Sequence, residues 1–272
     1  MPIPSARIAW WRVAALASLV GLSVAVLGSG ALNASAAAAS SSKIVTWGEQ
    51  PNAGPNYISP ISGVDYFSTS NLSQFGYFIY PPLYWFGNNG EPTLDESMSM
   101  AEAPIYSNDN KTVTINMKHW LWSDGVPISA RDVTFWMNVL KASVSPAAAN
   151  IGSKAAPGPS WGAYVPGLFP DNVLSYKATG TYQVTMQLSA SYNPTWFTYN
   201  ELSQITAMPQ QTWDKTSATS PNGNYDETVP GTATTGALAV SQYINSQSQD
   251  TSTYATNPMW KVVSGPFEVS SY

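Results

Sequence analysis

The sequence predicts a mixed α/β (α+β) fold behind an export signal. Two segments, TVTINMK (Thr112–Lys118) and YQVTMQLS (Tyr182–Ser189), alternate polar and apolar residues as half-buried strands do. A tight turn and an amphipathic helix follow the first of them. The 272 residues are 44% apolar with 11 Trp and 15 Tyr, enough to bury a sizeable core, and the length suits two compact units.

The N-terminus has the three parts of a secretory signal: Arg7 and Arg12, the apolar run Val13–Leu27, and the small residues Ala34-Ser35-Ala36. Residues 1–36 are therefore expected to be removed, with folded structure beginning near Lys43. An uncleaved membrane anchor is the alternative, because Gly28–Ala39 could lengthen the apolar run. The expected location is extracytoplasmic, periplasmic or on the cell surface. Only 10% of residues are charged, against about a quarter in average domains, so Ser, Thr, Asn and Gln must keep the chain soluble. The net charge of −5 becomes −7 without Arg7 and Arg12, and no basic run exists to hold nucleic acid. The absence of cysteine excludes disulfides, thiolate metal sites, cysteine nucleophiles and an N-terminal lipid anchor on cysteine.

Along the mature chain, KIVTWG (Lys43–Gly48) alternates like a strand, and a Pro/Gly/Asn loop runs to Pro60. Leu72, Phe75, Phe78 and Ile79 have helical spacing, with Asn71 placed as the cap and Pro81-Pro82 as the stop. Asn88–Glu91 is a turn, and Ser107–Lys111 joins two short segments. Ser143–Asp171 reads as an irregular excursion. Ile205–Lys215 reads as a short strand entering a helix through Pro209. Ser217–Gly236 is a surface loop, Ala237–Gln247 is weakly helical, and the final WKVVSGPFEVSSY is a strand broken at Gly265-Pro266.

The stretch His119–Val133, HWLWSDGVPISARDV, holds the chain's only histidine with two acids and an arginine. Those residue types suit an active site, but each has a structural use here. Ser123-Asp124-Gly125 is a tight turn in which an acid is favoured. Ser129 is placed to cap a helix, with Asp132 three residues on at the position of a capping-box acid. Val133, Trp136, Met137 and Leu140 then fall on one helix face ending near Ala142. One imidazole without carboxylates at ligand spacing makes no metal site, and no nucleophile elbow or phosphate-binding glycine loop occurs. The expectation is no catalytic residue, no metal and no cofactor.

Thr112–Lys141 resembles the signature of the family 5 extracellular solute-binding proteins, the oligopeptide/dipeptide-binding class that serves ABC importers. Trp122, Ser123, Asp124, Gly125, Pro127, Ser129, Ala130, Asp132 and Val133 match its strand–turn–helix motif. Phe78–Trp85, Glu91–Met100, Thr181–Phe197, Ile205–Lys215 and Val262–Tyr272 resemble further segments in the same order, although Ser264 stands where the family has a Gly-Thr pair. The resemblance implies a type II periplasmic-binding-protein-like fold of two lobes. Residues 43–86 and 193–272 would build lobe I, and 87–192 a small inserted domain. Family members are about twice this length, so the chain looks like an N-terminal portion truncated before lobe III; a natural half-size protein is the alternative.

The implied function is capture of oligopeptides, or other small solutes such as oligosaccharides, and delivery to ABC permease subunits, by a monomer and without catalysis. The family lines its cleft with segments that correspond here to Asp65–Thr69 and Trp161–Tyr164. The candidate ligand-binding residues are Tyr66, Phe67, Ser68, Thr69, Trp161 and Tyr164, with core packing as the alternative for Phe67 and Trp161. Two other classes remain: a secreted carbohydrate-binding or adhesion module, which needs exposed coplanar tryptophans, and a secreted glycosidase, which needs two facing carboxylates.

Overall fold

The computed structural model describes Gly48, Pro51 and residues 53–88, 90–145, 161–227 and 233–272. The export signal, the expected strand at Lys43–Gly48 apart from its last residue, and residues 146–160 of the expected excursion lie outside these. The described residues belong to one compact unit, Gly48–Tyr272.

The alternating segments form the central sheet. β1 (Trp85–Asn88) and β2 (Glu91–Asp95) make a hairpin through the expected turn, where Gly90 has φ +85°. β3 (Ile105–Ser107) and β4 (Thr112–Asn116) form a second hairpin, whose turn holds Asn108, Asp109 and Asn110 at positive φ. Asn and Asp tolerate that conformation best among non-glycine residues. β5 (Val173–Gly180) and β6 (Gln183–Leu188) complete an antiparallel sheet of order β3-β4-β6-β5. Val113 pairs with Met186 and Ile115 with Val184, so the apolar residues of both central strands share one face. β5 has no counterpart among the sequence expectations. It is an edge strand exposed along most of its length, so it carries little apolar alternation.

α2 (Ala130–Ser143) covers the apolar face of the sheet, burying Val133, Trp136, Met137 and Leu140 as their spacing predicts. It also packs against a later helix, Ala233–Ser248, here α5. One continuous apolar cluster runs from Ile58 to Val269, with Trp136, Trp213 and Trp260 fully buried. Trp136 sits edge-on to Trp161 and parallel to Phe169, with centroids 6.4 and 6.0 Å away.

Four expectations are corrected. Asn71 caps nothing: its own backbone is helical, and its side chain braces the preceding loop. The Asn71 carboxamide accepts from the Asn56 N–H (2.8 Å) and donates to the Tyr66 carbonyl (2.8 Å). The helix it precedes is short, a π-turn at Leu72–Gly76 followed by α1 (Tyr77–Ile79). Residues 205–209 form no strand; the Ile205 carbonyl accepts from the Leu83 N–H at 2.7 Å before α4 (Gln210–Trp213) begins. α3 (Pro194–Asn200), with Asn193 capping the Trp196 N–H, was not foreseen in the aromatic run before it.

Nor is the C-terminal stretch a strand. The Ser264 and Gly265 N–H groups donate to the Ile79 carbonyl (3.2 and 2.8 Å), closing the end of α1, whose last carbonyls have no partner within so short a helix. A Cβ at position 265 would lie 2.2 Å from the Phe78 carbonyl oxygen, so only glycine allows this approach. The Ser217–Gly236 segment is a loop only in part. It carries the buried Asp226, and α5 begins within it, at Ala233.

Candidate ligand-binding groove

The acid-rich stretch is engaged by local structure. The Trp122 N–H donates to the Val126 carbonyl (2.8 Å), the Asp124 carboxylate accepts from the Val126 N–H (3.0 Å), and Gly125 supplies φ +85° at the turn. Ser123 joins distant parts of the chain: its hydroxyl donates to the Lys261 carbonyl (2.9 Å) and accepts from the Val263 N–H (3.0 Å). Ser129 and Asp132 form the expected capping box. The Asp132 carboxylate accepts from the Ser129 N–H (2.7 Å) and, across the fold, from the Gln210 N–H (3.1 Å). Burial raises the Asp132 carboxyl above its ordinary pKa, and these backbone bonds work against the rise. His119 is exposed and its ring lies on Tyr182, centroids 4.1 Å apart.

Behind the motif lies an ion cluster that sequence reading did not assemble. Arg131 grips Asp226 with two guanidinium nitrogens, one bond measuring 2.8 Å, and its Nε lies 3.3 Å from Glu227. The Asn138 carboxamide also donates to Asp226 (2.8 Å), and the Tyr176 hydroxyl donates to Asn138 (2.6 Å). Asp214, buried beside Asp226, accepts from the Gln210 carboxamide (2.9 Å) and the Asp226 N–H (3.3 Å). Its carboxyl is pushed up to about 7, first by burial and then by the neighbouring Asp226. One cation thus faces two buried acids, and the arrangement ties the 214–227 loop to α2. Another buried acid, Glu201 at the end of α3, is also pushed up to about 7 by burial.

A different region offers open surface. Phe67, Trp161, Tyr77, Ser203, Gln204 and Thr206 line a groove of about 90 Å³. At roughly 30 Å³ per liquid water, that is room for about three waters or one small side chain, well below the ~300 Å³ of a complete ligand pocket. The two aromatic loops are held together by backbone: the Gly162 N–H donates to the Ser62 carbonyl at 2.7 Å. A Cβ on Gly162 would meet the Phe67 side chain at 2.6 Å, so glycine lets Phe67 come this close to the backbone.

Of the residues singled out by sequence, the groove brings together Phe67, which is 47% exposed, and Trp161, which is 4% exposed and also packs on Trp136 and Phe169. Tyr66 stacks on Tyr57 at 4.7 Å. The Ser68 hydroxyl accepts from the Asn71 N–H (3.2 Å), and the Thr69 carbonyl accepts from the Gln74 N–H (3.0 Å). The Tyr164 hydroxyl donates to Asp171 at 2.8 Å. Tyr66, Ser68, Thr69 and Tyr164 do not line the groove. Ser203, Gln204 and Thr206 were missed, because three polar residues after a short helix give no sign in sequence of sharing a wall with Phe67.

Comparison with known proteins identifies the family. The family model of the bacterial extracellular solute-binding proteins, family 5 (middle), matches residues 97–272. The chain belongs to this family. Solved structures similar to it include the oligopeptide-binding protein AppA of Bacillus subtilis in complex with a nonapeptide, at 18% identity and TM-score 0.41 over 58% of this chain and 26% of that one. A putative peptide binding protein AppA from Clostridium difficile is 21% identical with TM-score 0.43, over 82% of this chain and 33% of that one. DppA from Helicobacter pylori in complex with the peptide STSA is 16% identical with TM-score 0.42, over 58% and 30%. The chain thus spans 26% to 33% of the length of these structures. None of the curated proteins compared matches it.

Proposed function

We propose that this chain is the solute-capturing part of an exported binding protein that serves an ABC importer, with oligopeptides as its ligand class. Membership of family 5 over residues 97–272 carries this reading. The N-terminal 36 residues act as the export signal. Residues 43–86 and 193–272 form one lobe, 87–192 form the small domain, and a lobe beyond this chain closes the other side of the cleft. The protein acts as a monomer and hands its ligand to membrane permease subunits.

The groove fits one half of such a cleft. Its volume admits one side chain, so a peptide would insert a single residue between Phe67 and Trp161 and lay its backbone along the rim. Aromatic walls supply contact area; the Ser203 hydroxyl and the Gln204 carboxamide already donate to the Tyr199 (2.7 Å) and Asn200 (2.6 Å) carbonyls, so they offer a peptide backbone acceptor oxygens, and Thr206 offers a hydroxyl. Tyr66, Ser68, Thr69 and Tyr164 belong to the adjoining loops and would meet the ligand after closure. The carbohydrate-binding alternative is less well supported, since Trp122, Trp136, Trp161, Trp213 and Trp260 are buried and Trp196 alone among the described tryptophans is strongly exposed.

The test is native mass spectrometry of the exported protein at its natural length, followed by titration with a mixed tetrapeptide pool. Bound mass that matches peptides, released on unfolding and weakened at least tenfold by Phe67→Ala, is the expected result. Co-purified sugar, or peptide affinity unchanged in Phe67→Ala, would contradict the proposal.

A further inference from the structure

A second concavity, of about 400 Å³, opens between α4, the end of α5 and the turn at Pro258–Lys261. Its size falls within the range of small-ligand sites. The chemistry of its walls is one-sided. Lys215, Tyr243, Thr212 and Gln247 line it, and neither the Lys215 ammonium, the Tyr243 and Thr212 hydroxyls nor the Gln247 carboxamide nitrogen has a hydrogen-bond or ion-pair partner among the described residues.

The carboxamide oxygens there are already engaged: Gln247 Oε1 accepts from Asn257 (3.0 Å) and Asn257 Oδ1 from the Met259 N–H (3.0 Å). Among the described residues no carboxylate lines the walls. The nearby acids are turned to other work, Asp214 to Gln210 and the Asp226 N–H, and Asp250 to the Ser252 hydroxyl at 2.6 Å. The floor is fixed by a buried bond from the Trp213 indole N–H to the Met259 carbonyl, 2.7 Å long.

We propose that this pocket binds a small oxyanion-bearing ligand, a carboxylate or a phosphate, through Lys215 with Tyr243, Thr212 and Gln247. A cation with three unengaged neutral donors and no competing acid selects an acceptor-rich anion, because charge-assisted bonds to it are the strongest this set can make. The site is separate from the Phe67–Trp161 groove, so it stands or falls independently of peptide capture.

The test follows backbone amide NMR signals of the chain while succinate and inorganic phosphate are added in separate series, with NaCl holding ionic strength constant. Saturable shifts at Lys215, Tyr243 and Gln247 in at least one series are expected, and the series that saturates at lower concentration identifies the source of the oxyanion. Lys215→Met should weaken binding about tenfold or more. Tyr243→Phe, which removes one hydroxyl and keeps the ring, should weaken it roughly 2- to 10-fold. The proposal is overturned if neither anion gives saturable shifts, if the shifts follow NaCl alone, or if Lys215→Met binds as well as the parent chain.

Discussion

Around the start of α2 the motif's acids and hydroxyls have partners within the protein, whereas at the Phe67–Trp161 groove an aromatic face stands 47% open beside polar side chains. The first region holds the residue types usually associated with chemistry and uses them to fix a turn, cap a helix and tie remote segments together. The second has an unremarkable sequence and keeps part of an aromatic face open to solvent. Residue type alone therefore does not separate the parts of this chain that hold the fold from those that leave a face open.

If the α2 region is structural, disrupting it should cost stability while leaving ligand contact alone. The largest loss is expected for Trp136→Ala, which empties a fully buried site between Trp161 and Phe169: about 3–5 kcal/mol in urea unfolding. Arg131→Ala leaves Asp226 and Asp214 buried without their cation. About 3 kcal/mol is expected, the low end for a broken buried pair, because the arginine side chain is 26% exposed.

Two buried acids, Asp214 behind the motif and Glu201 at the end of α3, sharpen the comparison through pH. Asp214 and Glu201 titrate near 7 in the folded chain and near their ordinary values, about 4, when unfolded. Between those values the folded chain holds protons that the unfolded chain has released. Their contribution to stability is therefore present below about pH 4 and lost as pH rises through 7. Urea midpoints from pH 4.5 to 8 should fall with pH, and Asp214→Asn should flatten that slope; an unchanged slope would show that burial does not raise this carboxyl. Ser129→Ala should cost about 1 kcal/mol through the lost cap. Phe67→Ala should change stability least, by less than about 1 kcal/mol, because nearly half of the side chain is already in water.

The parts of the fold legible in sequence were those written in periodicity and local hydrogen bonding. β4, β6 and the buried face of α2 follow from alternation and helical spacing, and Ser129–Asp132 from the spacing of a capping box. Long-range partnership was not legible. Nothing local says that Asp132 would also accept from Gln210, that Ser123 would hold Lys261 and Val263, or that Asp226 in a polar loop would be buried against Arg131. β5 was hidden because an exposed edge strand needs no apolar pattern, and the C-terminal stretch misled because its backbone donors go to the end of α1. At the groove, family resemblance pointed to Phe67 and Trp161, while Ser203, Gln204 and Thr206 became visible only as a shared wall.

The most direct test measures peptide affinity and urea stability side by side on Asp132→Asn and Phe67→Ala, using the same mixed tetrapeptide pool on the full-length protein. Asp132→Asn should lose stability and keep its affinity within about twofold, and Phe67→Ala should do the reverse. Loss of peptide affinity in a fully stable Asp132→Asn chain would contradict the division of labour argued from these two regions.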